Sequence, residues 1–295
     1  MIARALVLPM VACLALAVPS TAAPLATKLF GRVQVASQQP PEPIGGYSRG
    51  CGAGMVELPE SGPTWQAMRL SRNRNWGQPD LIDYIEGLSQ QATRLGWPGL
   101  FIGDLAQPRG GPSASGHLSH QTGLDVDIWY LSPKRLDLSP AQREKISANS
   151  VRTSDQLRVN ENWTEAHHQL LKMAASDPRV DRIFVAAAIK IEMCKTATAA
   201  DKTWLQRIRP IYGHDDHFHV RLKCPKGARQ CQTQKPTVAE LSNGGNGCDE
   251  TLTWWVTTYL EELKHPKPGG KKSRGPRDYT MADLPKACVG VLESP

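Results

Sequence analysis

Hydrophobic and polar residues alternate in two short stretches of this 295-residue chain, and in others they recur at helical spacing. Leu124, Val126 and Ile128 alternate with Asp125 and Asp127, and Phe218 and Val220 alternate with His217 and His219. Successive side chains of a strand point to opposite faces. The pattern therefore predicts two strands, over 123–130 and 217–222, each with an apolar face turned to a core and a polar face free for chemistry. Between residues 80 and 95 the apolar positions are 81, 82, 85, 88, 92 and 95, a helical stripe that Gly96 stops.

The same reading predicts further strands over 65–70, 100–105 and 182–185, and helices over 187–194 and 201–209, the last stopped by Pro210. Asn162-Trp-Thr-Glu165 has capping-box character and opens a helix to about Ala175. Residues 107–116 form a glycine-rich loop that delivers His117 and His120; with no Lys-Ser/Thr after it, it is not a phosphate cradle. Residues 132–160 are polar and poorly patterned, as expected of a long surface insertion, and 23–46 read as a Pro-rich irregular arm. Strands mixed with helices, without a βαβ rhythm or internal repeat, predict an α+β fold.

Residues 1–22 have the form of a secretory signal: Arg4 as the only charge, an apolar run, then small residues before a cut after Ala22. The run is shorter than the roughly 20 apolar residues of a membrane span. Cys13 does not fit a lipid anchor, because apolar sequence continues past it. An exported chain of about 270 residues is long enough for a sizeable core. Losing Arg4 lowers the formal net charge from +7 to +6, which suits an anionic surface such as cell-wall polymer. The basic residues are scattered and not interleaved with aromatics, which argues against nucleic acid. The exception, Lys264 to Arg277, reads as a basic Pro/Gly linker.

Beyond Cys13 the chain has six cysteines, at 51, 194, 224, 231, 248 and 288, and in an oxidising compartment these predict three disulfides. Six cysteines allow 15 connectivities. Only Cys224 and Cys231, around a short loop after the second strand, suggest a local pair.

The chemistry is concentrated in His120-Gln-Thr-Gly-Leu-Asp-Val-Asp127 and His214-Asp-Asp-His217-Phe-His219. A lone His-x-His on a strand is common, and a lone Asp-x-Asp is usually a solvated face. Here five of the eight histidines (His117, His120, His214, His217, His219) fall in two short windows beside aspartates. Two histidines and a carboxylate leave the fourth tetrahedral position of Zn²⁺ free for water, whose pKa falls to about 7 when bound. The composition of these windows therefore points to a catalytic metal site. Asp125 shares the face of Asp127 and is a candidate to orient a ligand imidazole.

His120 to Asp127 matches the His-x6-Asp element, and His217-Phe-His219 the His-x-His element, of the superfamily of lysostaphin, D-Ala-D-Ala carboxypeptidase and sonic hedgehog metallopeptidases. The longer segments Gly103-Asp-Leu-Ala-Gln-Pro-Arg-Gly-Gly111, Gly116 to Trp129, Arg182-Ile-Phe-Val185 and His219 to Cys224 resemble the penicillin-insensitive murein endopeptidases, from about Cys51 to Cys248. That resemblance implies a periplasmic zinc peptidase cutting the D-alanyl–meso-diaminopimelyl cross-links of peptidoglycan. It implies His120, Asp127 and His219 as zinc ligands, His217 and His214 as non-ligand histidines that assist the chemistry, and His117 as an accessory metal residue. The partners expected for a second metal at His117 are missing: Leu157 stands where a His would be, and Asp155 only near the place of an Asp. It also implies the pairs Cys51–Cys288, Cys194–Cys248 and Cys224–Cys231.

The implied organisation is a signal over 1–22, a metallopeptidase domain over 23–263 and a segment over 264–295 tethered by Cys288, with a small antiparallel sheet carrying the site. Competing readings are a D-Ala-D-Ala carboxypeptidase, or a zinc-stabilised cell-wall-binding protein without turnover. A zinc nuclease fits less well, because the loops lack basic residues interleaved with aromatics.

Overall fold

The computed structural model describes residues 23–265 and 274–295. The expected signal over 1–22 and the middle of the basic linker lie outside the described residues. A six-stranded sheet runs in the order Trp65–Ala67, Leu100–Ile102, Asp125–Trp129, His217–Leu222, Val180–Val185, Ile208–Pro210. Its centre is antiparallel, as expected, but both edge pairs are parallel, so the sheet is mixed.

Register matters most for function. His219 stands opposite Asp127 and Arg221 opposite Asp125 across the two central strands. Directly opposed residues of an antiparallel pair share a face about 4.5–5.5 Å apart, so alternation within each strand becomes one polar patch. The other face is fully apolar: Leu124, Val126, Ile128, Phe218, Val220 and Ile183 are all buried in the main core. Against that face pack the helices Pro79–Ala92, Glu165–Ser176 and Ala187–Cys194. Leu81, Ile82, Ile85, Leu88 and Ala92 of the first are buried, as the helical stripe requires, and Leu95 follows in a 3-10 turn.

Several elements differ from expectation. Residues 201–209 are not one helix: Lys202–Leu205 makes a single turn, and Ile208–Pro210 pairs in parallel with Val180–Val185. The helix Glu165–Ser176 starts at Thr164, whose N–H donates to His167 Nδ1 (3.0 Å). Asn162 instead donates its side chain to the Ser150 carbonyl (2.9 Å). The 65–70 and 100–105 strands are shorter, Trp65–Ala67 and Leu100–Ile102.

The lead-in over 23–46 is not an irregular arm. It holds a helix, Ala26–Phe30, and a strand, Glu42–Gly46, that pairs with Arg49–Ala53. Phe30 and Ile44 join Leu284, Cys288 and Val291 in a second core that ties the described ends together. Arg109 locks the C-terminal helix Ala287–Glu293, donating from Nη1 to the carbonyls of Val291, Leu292 and Ser294 at 3.1, 2.8 and 2.6 Å. The disulfides are Cys51–Cys288, Cys194–Cys248 and Cys224–Cys231, the set the resemblance implies.

Candidate metal centre

Three donor atoms converge above the polar face of the two central strands. His120 Nε2 lies 3.2 Å from His219 Nδ1. Asp127 Oδ1 lies 3.4 Å from the first and 3.3 Å from the second. Atoms bonded at about 2.05 Å to a tetrahedral Zn²⁺ stand about 3.3 Å apart, so this triangle has the dimensions of one face of a zinc tetrahedron. Asp127 Oδ1 is also buried without a hydrogen-bond partner among the described residues. A buried carboxylate oxygen facing two imidazole nitrogens is an environment suited to a cation. The side chains present fit a zinc ion with one open position.

Local structure explains the convergence. Strand pairing supplies Asp127 and His219, while His120 arrives from the loop in a left-handed conformation (φ 63). Such φ values are uncommon for residues with a Cβ and often mark functional sites. The loop has no room for larger residues at its turn. A Cβ on Gly110 (φ 64) would sit 1.9 Å from the Gln121 carbonyl oxygen, and one on Gly111 (φ 72) would meet the Phe30 ring at 2.3 Å.

Asp125 supports the triangle from below. Its Oδ1 accepts from Arg221 Nε (2.7 Å) and lies 3.1 Å from His219 Nε2. Its Oδ2 accepts from the His120 backbone N–H (3.0 Å) and Arg221 Nη2 (3.2 Å). This turns His219 Nδ1 toward Asp127, and it sets the loop that carries His120. Burial alone would raise the Asp125 pKa, but Arg221 and then His219 reverse that and hold it far below the usual carboxylate range.

His217 lies beside the triangle, its Nε2 3.7 Å from Asp127 Oδ1 and without a hydrogen-bond partner among the described residues. Its Nδ1 pairs with Asp216 at 2.6 Å. Burial opposes its charged form, yet Asp127 and Asp216 outweigh that and raise its pKa to about 9. A divalent cation at Asp127 would act in the opposite sense. His214, also in a left-handed conformation (φ 56), has its ring centre 4.9 Å from that of His217, the two planes tilted by 46°. Burial, then His217 and His219, push its pKa down to about 4. Its Nδ1 faces the Tyr212 carbonyl (3.1 Å), which can only accept, so the ring proton is on Nδ1 and Nε2 is an acceptor.

His117 completes the group of four side chains whose ligand atoms lie within 4.8 Å of one another. Its Nε2 contacts Asp127 Oδ2 at 2.8 Å and lies 3.8 Å from Asp104 Oδ2. Asp155 and Leu157 line a different cavity, beside Tyr212 and Leu263, and so are not brought together with His117. Asp104, Asp216 and Arg72 belong to the site without having been assigned a role from sequence. Asp216 was readable only as the neighbour of His217. Alternation would have put the two on opposite faces had the strand begun one residue earlier.

The profile of the penicillin-insensitive murein endopeptidase family matches residues 43–293. A protein of that name from Haemophilus influenzae is 41% identical over 254 residues, covering 86% of this chain and 83% of its own length. Proteins of the same name from Klebsiella pneumoniae and Escherichia coli are 38% and 37% identical over 250 residues, 85% of this chain and 85% of each relative. With similarity of that extent over a span that includes all six disulfide cysteines, the chain belongs to the penicillin-insensitive murein endopeptidase family of peptidases.

Proposed function

We propose that this protein is a zinc-dependent endopeptidase of the periplasm that hydrolyses D-alanyl–meso-diaminopimelyl cross-links in peptidoglycan. The observation that carries the reading is the triangle of His120 Nε2, Asp127 Oδ1 and His219 Nδ1, with sides of 3.2 to 3.4 Å. These three side chains would hold the ion. When bound, zinc would polarise the scissile carbonyl and lower the pKa of water to about 7.

The remaining groups position and move protons. Asp216 keeps the Nδ1 proton of His217 in place, which leaves His217 Nε2 to take a proton from the attacking water and pass it to the leaving amine. The C–N bond breaks, the water oxygen stays on the D-alanyl carbonyl carbon as carboxylate, and diaminopimelate leaves as the amine. His214 Nε2, an acceptor in this tautomer, holds an O–H or N–H of the reacting groups. His117 steadies Asp127 through Oδ2 and so keeps Oδ1 turned toward the ion. No serine is acylated in this chemistry, so β-lactams have no nucleophile to trap.

Three disulfides, a positive net charge and relatives named for murein suit a wall-facing protein exported by a signal over residues 1–22 that is then removed. Residues 23–263 would carry the peptidase, with 264–295 held back by Cys288. No described helix is long and apolar enough to cross a membrane.

Digestion of purified sacculi, with the muropeptides resolved by chromatography, tests the reading. Dimers converted to monomers, with or without penicillin, are expected. Loss of a terminal D-alanine alone would mean a carboxypeptidase, and unchanged muropeptides a binding protein.

A further inference from the structure

We propose that Arg72 reads the free carboxylate next to the scissile amide on the leaving side of the substrate. The inference rests on the endopeptidase reading above and adds a residue to it. Arg72 and the metal-centre residues His117, Asp127 and His217 line one cavity of about 260 Å³. Contacts of 3.1, 3.8 and 2.8 Å link Arg72 to Asp104, Asp104 to His117 and His117 to Asp127.

Two arginines, Arg69 and Arg72, line this cavity and a third, Arg74, binds its Asp104; only Arg72 keeps an unused edge. Arg69 donates to the carbonyls of Arg143, Glu144 and Ile146 and lies over the Trp129 ring, where it holds the 143–146 segment in place. Arg74 is spent on Asp104 (2.9 Å) and on the carbonyl and hydroxyl of Ser115 (3.0 and 3.1 Å). Arg72 contacts both oxygens of Asp104 through Nη1 alone, at 3.1 Å each. Among the described residues its Nε and Nη2 have no hydrogen-bond partner, and the side chain is 46% exposed. A guanidinium has five donors, so three remain, along the edge that takes a carboxylate bidentately.

The neighbouring acids do not use up Arg72: Asp104 is already paired with Arg74, Asp216 is engaged by His217 Nδ1, and Asp127 would be compensated by the ion. The turn Leu70–Arg72 is bracketed by left-handed Arg69 (φ 59) and Asn73 (φ 49), backbone conformations that cluster at functional sites. In the proposed cross-link the carbon bearing the scissile nitrogen also bears a free carboxylate. That anion enters any cavity that accepts the leaving amine beside the metal, and Arg72 is the cation available there.

The test uses two cross-linked muropeptide dimers, one with this carboxylate free and one with it amidated, assayed with the zinc-loaded full chain and with Arg72→Gln and Arg72→Lys. A hydrogen-bonded charge pair corresponds to about 10- to 100-fold in kcat/KM. The wild type should prefer the free acid by that factor. Arg72→Gln should cleave both dimers at the lower rate, mainly through KM, with zinc content unchanged, and Arg72→Lys should recover part of the preference. An Arg72→Gln enzyme that keeps the wild-type preference overturns the inference. So does a wild type indifferent to amidation, which stands even if the variant does not fold. A wild type that cleaves neither dimer would overturn the endopeptidase reading itself, and this inference with it.

Discussion

Replacing Asp125 by Asn removes one charge and keeps the shape, and the structure says what that does. All four contacts of the carboxylate are with nitrogen: Arg221 Nε, Arg221 Nη2, the His120 N–H and His219 Nε2. An amide nitrogen on either side would face donors with a donor. Arg221 would lose its anion while buried between the rings of Tyr47 and Phe184, at 4.2 and 5.2 Å. Breaking a buried ion pair costs about 3–5 kcal/mol; the retained cation–π contacts favour the lower end, about 3 kcal/mol. For a chain of this size that is a fall in Tm of roughly 6–12 °C. Loss of the group that orients a metal-binding imidazole should also weaken zinc about 10- to 100-fold. Melting of the metal-free protein reads the first effect, and competition with a chromogenic chelator reads the second. A further Arg221→Met change should recover part of the stability but not the zinc affinity. A variant that melts within a degree of wild type and binds zinc as tightly would refute the assignment of Asp125 as the support of the centre.

His217→Ala should keep about one zinc per chain yet lose roughly 10²- to 10⁴-fold in dimer cleavage, the range for a positioned acid–base group. His214→Ala should lose less; single-turnover rates with metal analysis compare the two. Lys190 makes stability depend on pH away from the site. It is fully buried, with Nζ donating to the carbonyls of Leu205 (2.6 Å) and Asn246 (2.8 Å), and burial, then Arg209, lower its pKa to about 7. The unfolded chain keeps this proton to about pH 10.4, so between pH 7 and pH 9.5 the unfolded state binds more protons and stability rises with pH. Denaturant titrations should give the wild type an upward slope of at most about 1.4 kcal/mol per pH unit relative to Lys190→Met; equal slopes would contradict it.

Much of the site was legible because its two strands have one apolar face each. Leu124, Val126, Ile128, Phe218 and Val220 mark the buried side, so Asp127 and His219 had to share the other. Alternation does not give register, however. That His219 meets Asp127 depends on pairing between strands far apart in the chain, and the proposed ligand set came from the resemblance. The helix Pro79–Ala92 was legible from local period, whereas Ile208–Pro210 is a strand because of a distant partner, Val180–Val185. Phe30 likewise packs against residues near the opposite end of the chain, which composition does not reveal. Arg72 sits in a 3-10 turn and Asp104 just past the end of the strand Leu100–Ile102, and only the folded chain brings them beside His117.

Zinc content and cleavage measured together test the central claim most directly. Wild type, His120→Ala, Asp127→Ala and His219→Ala would each be purified, analysed for metal and assayed on cross-linked dimer. One tightly held zinc and conversion to monomer are expected of the wild type, and each variant should lose most of the metal and all measurable cleavage, because two protein ligands do not hold Zn²⁺ against water. A variant that kept one equivalent of zinc and the wild-type rate would contradict the account.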